Sequence, residues 1–401
     1  MTLCSKVHEQ TRLIHGGSPC DALPRTPAPP IQRGSTVLLP SCEALYDGGK
    51  VTYGRVGLST QRALRDALRD LENADEAFIY PSGLTAITGT LLALLSAGDE
   101  VLACDTVYNP TRRFLAGTLA RYGVRARYFD PADDAETIRS MLTPATRVIF
   151  LESPGSLTFE MQDIPAIAAM AKEAGVLTVI DNTWAAGVLF KPLDHGVDVS
   201  IQSLTKYVCG HSDVFMGLAA AKGAAADLLA SSSYETGWAV SPDDAYMAIR
   251  GLRTLHTRLA QHGAAALQVA EWLAAQPEVH SVMCPALPSD PGHAIWKRDF
   301  SGICGLIGAI LEPASDAAVA AMVERLELFG LGFSWGGYES LAIPCDPQLK
   351  ARTHKLSYPG PLLRLHIGLE RVDDLIADLR QGLDTLSQDT AASQRKLRAA
   401  G

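Results

Sequence analysis

The chain has 401 residues, too many for one compact core, because domains usually run to roughly 100–200 residues. Hydrophobic residues make up 47% and charged residues 20%, which is an ordinary globular balance. A formal net charge of −9 argues against nucleic acid as a partner, since a phosphate-binding face needs a basic stripe.

The first ten residues mix Lys6, His8 and Glu9 with no apolar run, which predicts neither a signal peptide nor a membrane span. Residues 1–62 are rich in Pro and Gly and poor in periodic pattern, with Pro24, Pro27, Pro29 and Pro30 close together. They predict an extended arm without a core of its own, packed on something else, such as a partner subunit. From 63 to 256 strand and helix alternate. The run 77–80 breaks at Pro81-Ser82-Gly83 and leads into a helical stretch over 84–95. Runs at 101–104, 148–151 and 176–180 each end at polar or turn residues, and a helix is expected over 164–174. Continuous apolar runs separated by helices predict an α/β fold with a buried, mostly parallel sheet. From 257 to 401 a long helical segment over 258–276 leads into shorter strands and an amphipathic helix near 372–386, a smaller C-terminal α/β domain. Residues 388–401 are polar and basic and predict a frayed tail.

The eight cysteines form no CxxC pair and are too sparse for a disulfide framework. A structural zinc site is not expected, and a reducing, cytoplasmic setting fits.

In open α/β sheets, ligands sit at the carboxyl ends of strands. Ser82-Gly83-Leu84 follows the first run, Tyr108 lies just past the second, Asp181 follows 176–180, and Lys206 follows a run at 197–201. Their chemistry suits pyridoxal phosphate. Gly83 and Leu84 begin a helix whose N–H groups suit a phosphate, and the hydroxyls of Ser203 and Thr205 add donors. Asp181 suits a protonated pyridine nitrogen, Lys206 an aldehyde, and Tyr108 the face of the ring. Singly, each has a plainer reading: a strand-end cap, a turn glycine, a surface lysine, a tyrosine at the core edge. The constellation is what points to a cofactor. A competing motif, Gly332-Phe333-Ser334-Trp335-Gly336, matches the GxSxG of serine hydrolases. Asp346 and His366 follow it in the right order, so order alone leaves a hydrolase using Ser334 open. The residues after it, Gly336-Gly337-Tyr338, suit a helix start poorly.

Three stretches, Asp181-Asn182-Thr183-Trp184, Ser203-Leu204-Thr205-Lys206-Tyr207 and Gly210-His211-Ser212-Asp213, resemble the PLP-dependent enzymes of cysteine and methionine metabolism. The likeness runs from about 34 to 386. It implies the aspartate-aminotransferase type fold, PLP fold type I. Within the family, Glu152-Ser153-Pro154-Gly155-Ser156, the stretch 184–190, and Ser334-Trp335-Gly336-Gly337-Tyr338-Glu339-Ser340 are most similar to the bacterial cystathionine β-lyases. The γ-acting relatives usually carry Thr-Asn-Pro where Gly155-Ser156-Leu157 stands, and usually lack a tryptophan at 335.

The resemblance implies these roles. Lys206 is the Schiff-base lysine and Asp181 the pyridine-nitrogen partner. Tyr108 stacks on the ring and assists proton transfer. Gly83, Leu84, Ser203 and Thr205 bind the phosphate, joined by Tyr53 and Arg55 of a neighbouring subunit. Arg364 grips the substrate α-carboxylate, with Ser334 and Trp335 lining the same region, and Tyr234 has a substrate-binding role. The implied activity is β-elimination from a small amino-acid thioether such as cystathionine, in a homodimer within a homotetramer. Ser82 and Leu84 depart from the cysteine and small residue often seen in the β-lyases, and 231–237 is less familiar.

Overall fold

The computed structural model describes residues 8–15, 26–354 and 356–400. A seven-stranded sheet is built from β1 (Glu76–Tyr80), β2 (Glu100–Cys104), β3 (Arg125–Phe129), β4 (Thr146–Glu152), β5 (Leu177–Asp181), β6 (Val199–Ser203) and β7 (Gly217–Ala221). Its order is β1-β7-β6-β5-β4-β2-β3. The pairs from β3 through β2, β4 and β5 to β6 are parallel, whereas β7 runs antiparallel to both β6 and β1. The sheet is thus mostly parallel, as the apolar runs predict. Val148 to Leu151 are fully buried, as are Val101 to Cys104. Burying each large side chain of this kind stabilises the fold by roughly 1.5–3 kcal/mol.

A second sheet of five strands holds β8 (Val279–Met283), β9 (Leu306–Leu311), β10 (Gly330–Leu331), β11 (Leu341–Pro344) and β12 (Leu362–His366), in the order β10-β11-β12-β9-β8. All its pairs are antiparallel except β10 with β11. The helix Leu255–Ala274 precedes it.

Two expectations shift. The run expected at 197–201 forms its strand two residues later, at Val199–Ser203, because Val197 instead closes the preceding turn by donating to the Pro192 carbonyl. The last helix does not end near 386 before a frayed tail. It runs Val372–Ala400, and its final segment holds Ala391, Ala392, Gln394, Lys396, Leu397, Arg398 and Ala399, all strong helix formers. Among the described residues, no helix is long and apolar enough to cross a membrane.

Candidate active site

Parallel packing brings the carboxyl ends of β4, β5 and β6 to one edge of the sheet. Glu152 pairs in register with Asp181, and Asp181 with Ile201. A cavity of about 620 Å³ opens at this edge. One wall holds Gly83, Leu84, Tyr108, Glu152, Asp181, Ser203, Thr205 and Lys206, and the facing wall holds Ser334, Trp335, Gln348 and Arg364. Strand-end chemistry from one sheet therefore meets loop and strand chemistry from the other.

The helix Gly83–Leu94 begins at the cavity, and Ser82 caps it by accepting the Thr85 N–H at 3.1 Å. The N–H groups of Gly83 and Leu84 have no partner within the helix. Glycine is required at 83, because a Cβ there would lie 2.5 Å from the Ser203 Cβ and Oγ. The helix start is thus pressed against the end of β6, which makes a cradle of backbone N–H groups beside a hydroxyl. The Thr205 hydroxyl also lines the cavity, but it donates to the Met216 carbonyl at 3.2 Å and accepts the Met216 N–H at 3.0 Å. It is committed to holding the turn after β6.

Asp181 is buried. One of its oxygens accepts both the N–H of Thr183 at 3.1 Å and its hydroxyl at 2.5 Å. Burial raises its pKa, and the Thr183 bonds and the charge of Lys206 pull the other way. Beside it, Glu152 accepts the Tyr108 N–H at 2.7 Å. Burial first, then the Asp181 charge, raises the Glu152 pKa well above the usual carboxylate range, against the Tyr108 N–H bond.

Lys206 donates from Nζ to the Ser334 Oγ at 2.8 Å and lies 5.3 Å from the centre of the Trp335 ring. Burial and the Arg364 charge bring its pKa down to about 8, against the upward pull of Asp181. A lysine of that pKa is a good nucleophile toward a carbonyl at neutral pH. Arg364, buried on β12, donates to the carbonyls of Gly332, Phe333 and Ser334 at 3.0–3.3 Å, while its buried Nε has no hydrogen-bond partner among the described residues.

Pyridoxal phosphate fits these residues. The cradle at Gly83 suits its phosphate, buried Asp181 its ring nitrogen, and the amine of Lys206 its aldehyde.

Tyr53, Arg55 and Tyr234 lie outside this cavity. Arg55 donates to the Tyr234 carbonyl at 3.1 Å, and its guanidinium sits 5.6 Å from the Tyr234 ring centre and 5.9 Å from that of Tyr53. All three are exposed. One chain therefore gathers them into a separate cluster on its surface.

Glu152, Trp184, Arg113 and Gln348 also line the cavity and went unassigned from the sequence. Glu152 ends a strand, so the strand-end rule points to it as it does to Asp181. Arg113, on a short helix, and Gln348, 16 residues before Arg364, carry no comparable signal.

Ser334 lies between β10 and β11 rather than on a strand-to-helix turn. Neither ring nitrogen of His366 meets its hydroxyl. Nε2 accepts the Gly336 N–H at 2.9 Å and Nδ1 faces the Glu339 carbonyl at 3.0 Å. Among the described residues, no hydrolase triad is assembled around Ser334.

Comparison with known proteins agrees with this geometry. The family model described as Cys/Met metabolism PLP-dependent enzyme matches residues 10–384. The chain belongs to this family, and its cofactor is pyridoxal phosphate. It is 43% identical over 364 residues to the cystathionine β-lyase MetC of Escherichia coli, covering 88% of this chain and 92% of that one. It is 38% identical over 395 residues to an L-alanine/L-glutamate racemase of Wolbachia pipientis, covering 94% and 97%. A crystal structure of metB from Corynebacterium glutamicum superposes with a TM-score of 0.89 at 29% identity, over 95% of this chain and 99% of that one. The fold is accordingly PLP fold type I.

Proposed function

We propose that this protein is a carbon–sulfur β-lyase that cleaves L-cystathionine to homocysteine, pyruvate and ammonia, and that also accepts cystine and other cysteine thioethers. The observation that carries the reading is the contact of Lys206 Nζ with Ser334 Oγ at 2.8 Å, in one cavity with Asp181 and Arg364. The likeness to the Escherichia coli lyase supports the choice of substrate.

When bound, the cofactor supplies an electron sink for the pair left on the substrate's Cα. Gly83, Leu84 and Ser203 would hold the phosphate, Asp181 would keep a proton on the pyridine nitrogen, and Tyr108 would stand at the ring. Arg364 pairs with the α-carboxylate and so orients the Cα–H bond. The Lys206 amine would take the Cα proton. The Cβ–S bond then breaks with its electron pair on sulfur. A proton from Lys206 or Tyr108 completes the thiol. Burial raises the Tyr108 pKa, so its phenol keeps a hydrogen to give. The remaining 2-aminoacrylate takes up water and yields pyruvate and ammonia. Trp335, packed 5.5 Å from the Tyr207 ring, limits the space beside the carboxylate grip, which favours a leaving group at Cβ over one at Cγ.

Tyr53 and Arg55 complete the phosphate site of a partner subunit in this reading, with a homodimer as the active unit and a homotetramer as the assembly. Tyr234 reaches the substrate from the same cluster. The six described cysteines are unpaired, which supports a cytoplasmic setting.

The test is incubation of the purified holoenzyme with L-cystathionine. Pyruvate and homocysteine in equal amounts are expected. Mainly 2-oxobutyrate and cysteine would make it a γ-lyase. D-alanine formed from L-alanine, without pyruvate from any thioether, would make it a racemase.

A further inference from the structure

β12 presents two buried polar side chains two residues apart, hence on one face. Arg364 reaches the carbonyls of Gly332 to Ser334, and His366 reaches the next part of the same segment. Because Nε2 accepts from the Gly336 N–H, Nδ1 carries the hydrogen and donates to the Glu339 carbonyl. One neutral tautomer thus ties both ends of residues 336–339 to β12. Burial and the neighbouring His262 hold this ring neutral. It is fully buried, 5.3 Å from the His262 ring and 6.0 Å from Tyr207.

What this tie holds is close to the chemistry. Gly336 has φ +83, and a Cβ there would lie 2.9 Å from the C, Cα and Cβ of Lys206. The backbone at 336 therefore rests directly on the lysine. Ser334, two residues earlier, takes the Lys206 hydrogen bond, and the Trp335 ring leans on Tyr207. With both ring nitrogens engaged by backbone, His366 has no free lone pair or hydrogen to offer a substrate.

We propose that His366 is a positioning residue for the substrate pocket: by tying Gly336 and Glu339 to β12 it fixes Ser334 and Trp335 against Arg364 and Lys206. The inference rests on the reading that this pocket takes the α-carboxylate of an amino acid. It predicts that loss of the ties loosens substrate binding more than cofactor binding, because the phosphate cradle at Gly83 and Ser203 stands on the other sheet, away from residues 336–339.

The experiment compares wild-type holoenzyme with His366→Phe, which keeps a ring without nitrogens, and His366→Gln, which restores an acceptor for Gly336. Three quantities are read: KM and kcat for pyruvate release from L-cystathionine, glycine affinity from the change in the visible band, and cofactor affinity from fluorescence. In the Phe variant, KM and the glycine dissociation constant are expected to rise at least about tenfold, with kcat and cofactor affinity within about threefold of wild type. The Gln variant should fall between. Unchanged KM and glycine affinity in the Phe variant would overturn the proposal. So would a parallel loss of substrate affinity, cofactor affinity and melting temperature, which would mark the histidine as general packing. If the Phe variant does not fold, the Gln variant decides by the same criteria. Wild-type protein that binds glycine but releases no pyruvate would defeat the lyase reading alone, and the glycine measurement would still judge His366.

Discussion

Arg364 and Glu152 show how little of a residue's role is set by its charge alone. Arg364 already spends one guanidinium nitrogen on three backbone carbonyls, which fixes the plane of its fork toward the cavity. A lysine there is a point charge and cannot make the planar, bidentate grip on a carboxylate. Arg364→Lys is expected to lower kcat/KM by about 10²-fold or more, with the cofactor's visible band retained. Near-normal turnover would return Arg364 to a purely structural part in anchoring 332–334. Glu152 is the opposite case, an acid whose pKa is pushed up by burial and by the Asp181 charge. Its folded pKa is raised, so the folded state binds the extra proton between the unfolded value, near 4.3, and the folded one. Stability from this group is full below that window and falls as pH rises through it. Glu152→Gln keeps an acceptor for the Tyr108 N–H without the proton. The variant should gain on wild type in urea midpoint as pH rises from about 5 to about 8. A constant difference across that range would show that Glu152 titrates normally.

At the scale of elements, the site depends on the helix Gly83–Leu94 meeting the end of β6. That approach rests on one missing methyl group. A Cβ at 83 would collide with Ser203 at 2.5 Å, whereas a Cβ at Gly117 would meet nothing within 4 Å. Gly83→Ala should weaken cofactor binding at least about tenfold by pushing the helix start away, while the far-UV circular dichroism stays as in wild type. Gly117→Ala serves as the control for alanine in a helix. Equal cofactor affinity in the two variants would show that the phosphate does not use this helix start. The residues of this junction were legible beforehand, because an apolar run followed by Pro-Ser-Gly and a helical stretch marks a strand-end ligand site. Thr205 was legible as a hydroxyl near the site, but its engagement by Met216 was not. Met216 is 11 residues away, and only the turn after β6 folds back to meet it.

The whole molecule raises the question of Tyr53, Arg55 and Tyr234. Within one chain they stack on each other at the surface, away from the cavity. If Arg55 serves a partner's phosphate, Arg55→Ala and Lys206→Ala chains are each inactive as homodimers, but their hybrid has one intact site of two. Random reassociation should then restore about a quarter of wild-type activity. Verified hybrids with no activity would confine Arg55 to its own chain, and a fully active monomer would dismiss a shared site.

The sequence by itself determined the local matters: which runs would be buried strands, which turns would start helices, and which residue types stood at strand ends. Period and turn chemistry act over a few residues, so Gly83, Asp181 and Lys206 could be picked out one by one and their joint chemistry recognised. The tertiary structure decided everything that depends on which surfaces meet. It brought Arg364 and Ser334, 158 and 128 residues beyond Lys206, into one cavity with the lysine. It buried Glu152 beside Asp181 on adjacent strands, and burial first and the Asp181 charge second raise its pKa. It also turned His366 from the last member of an apparent triad into a brace with both nitrogens spent on backbone. Such relations follow from sheet order and packing, which no local pattern encodes.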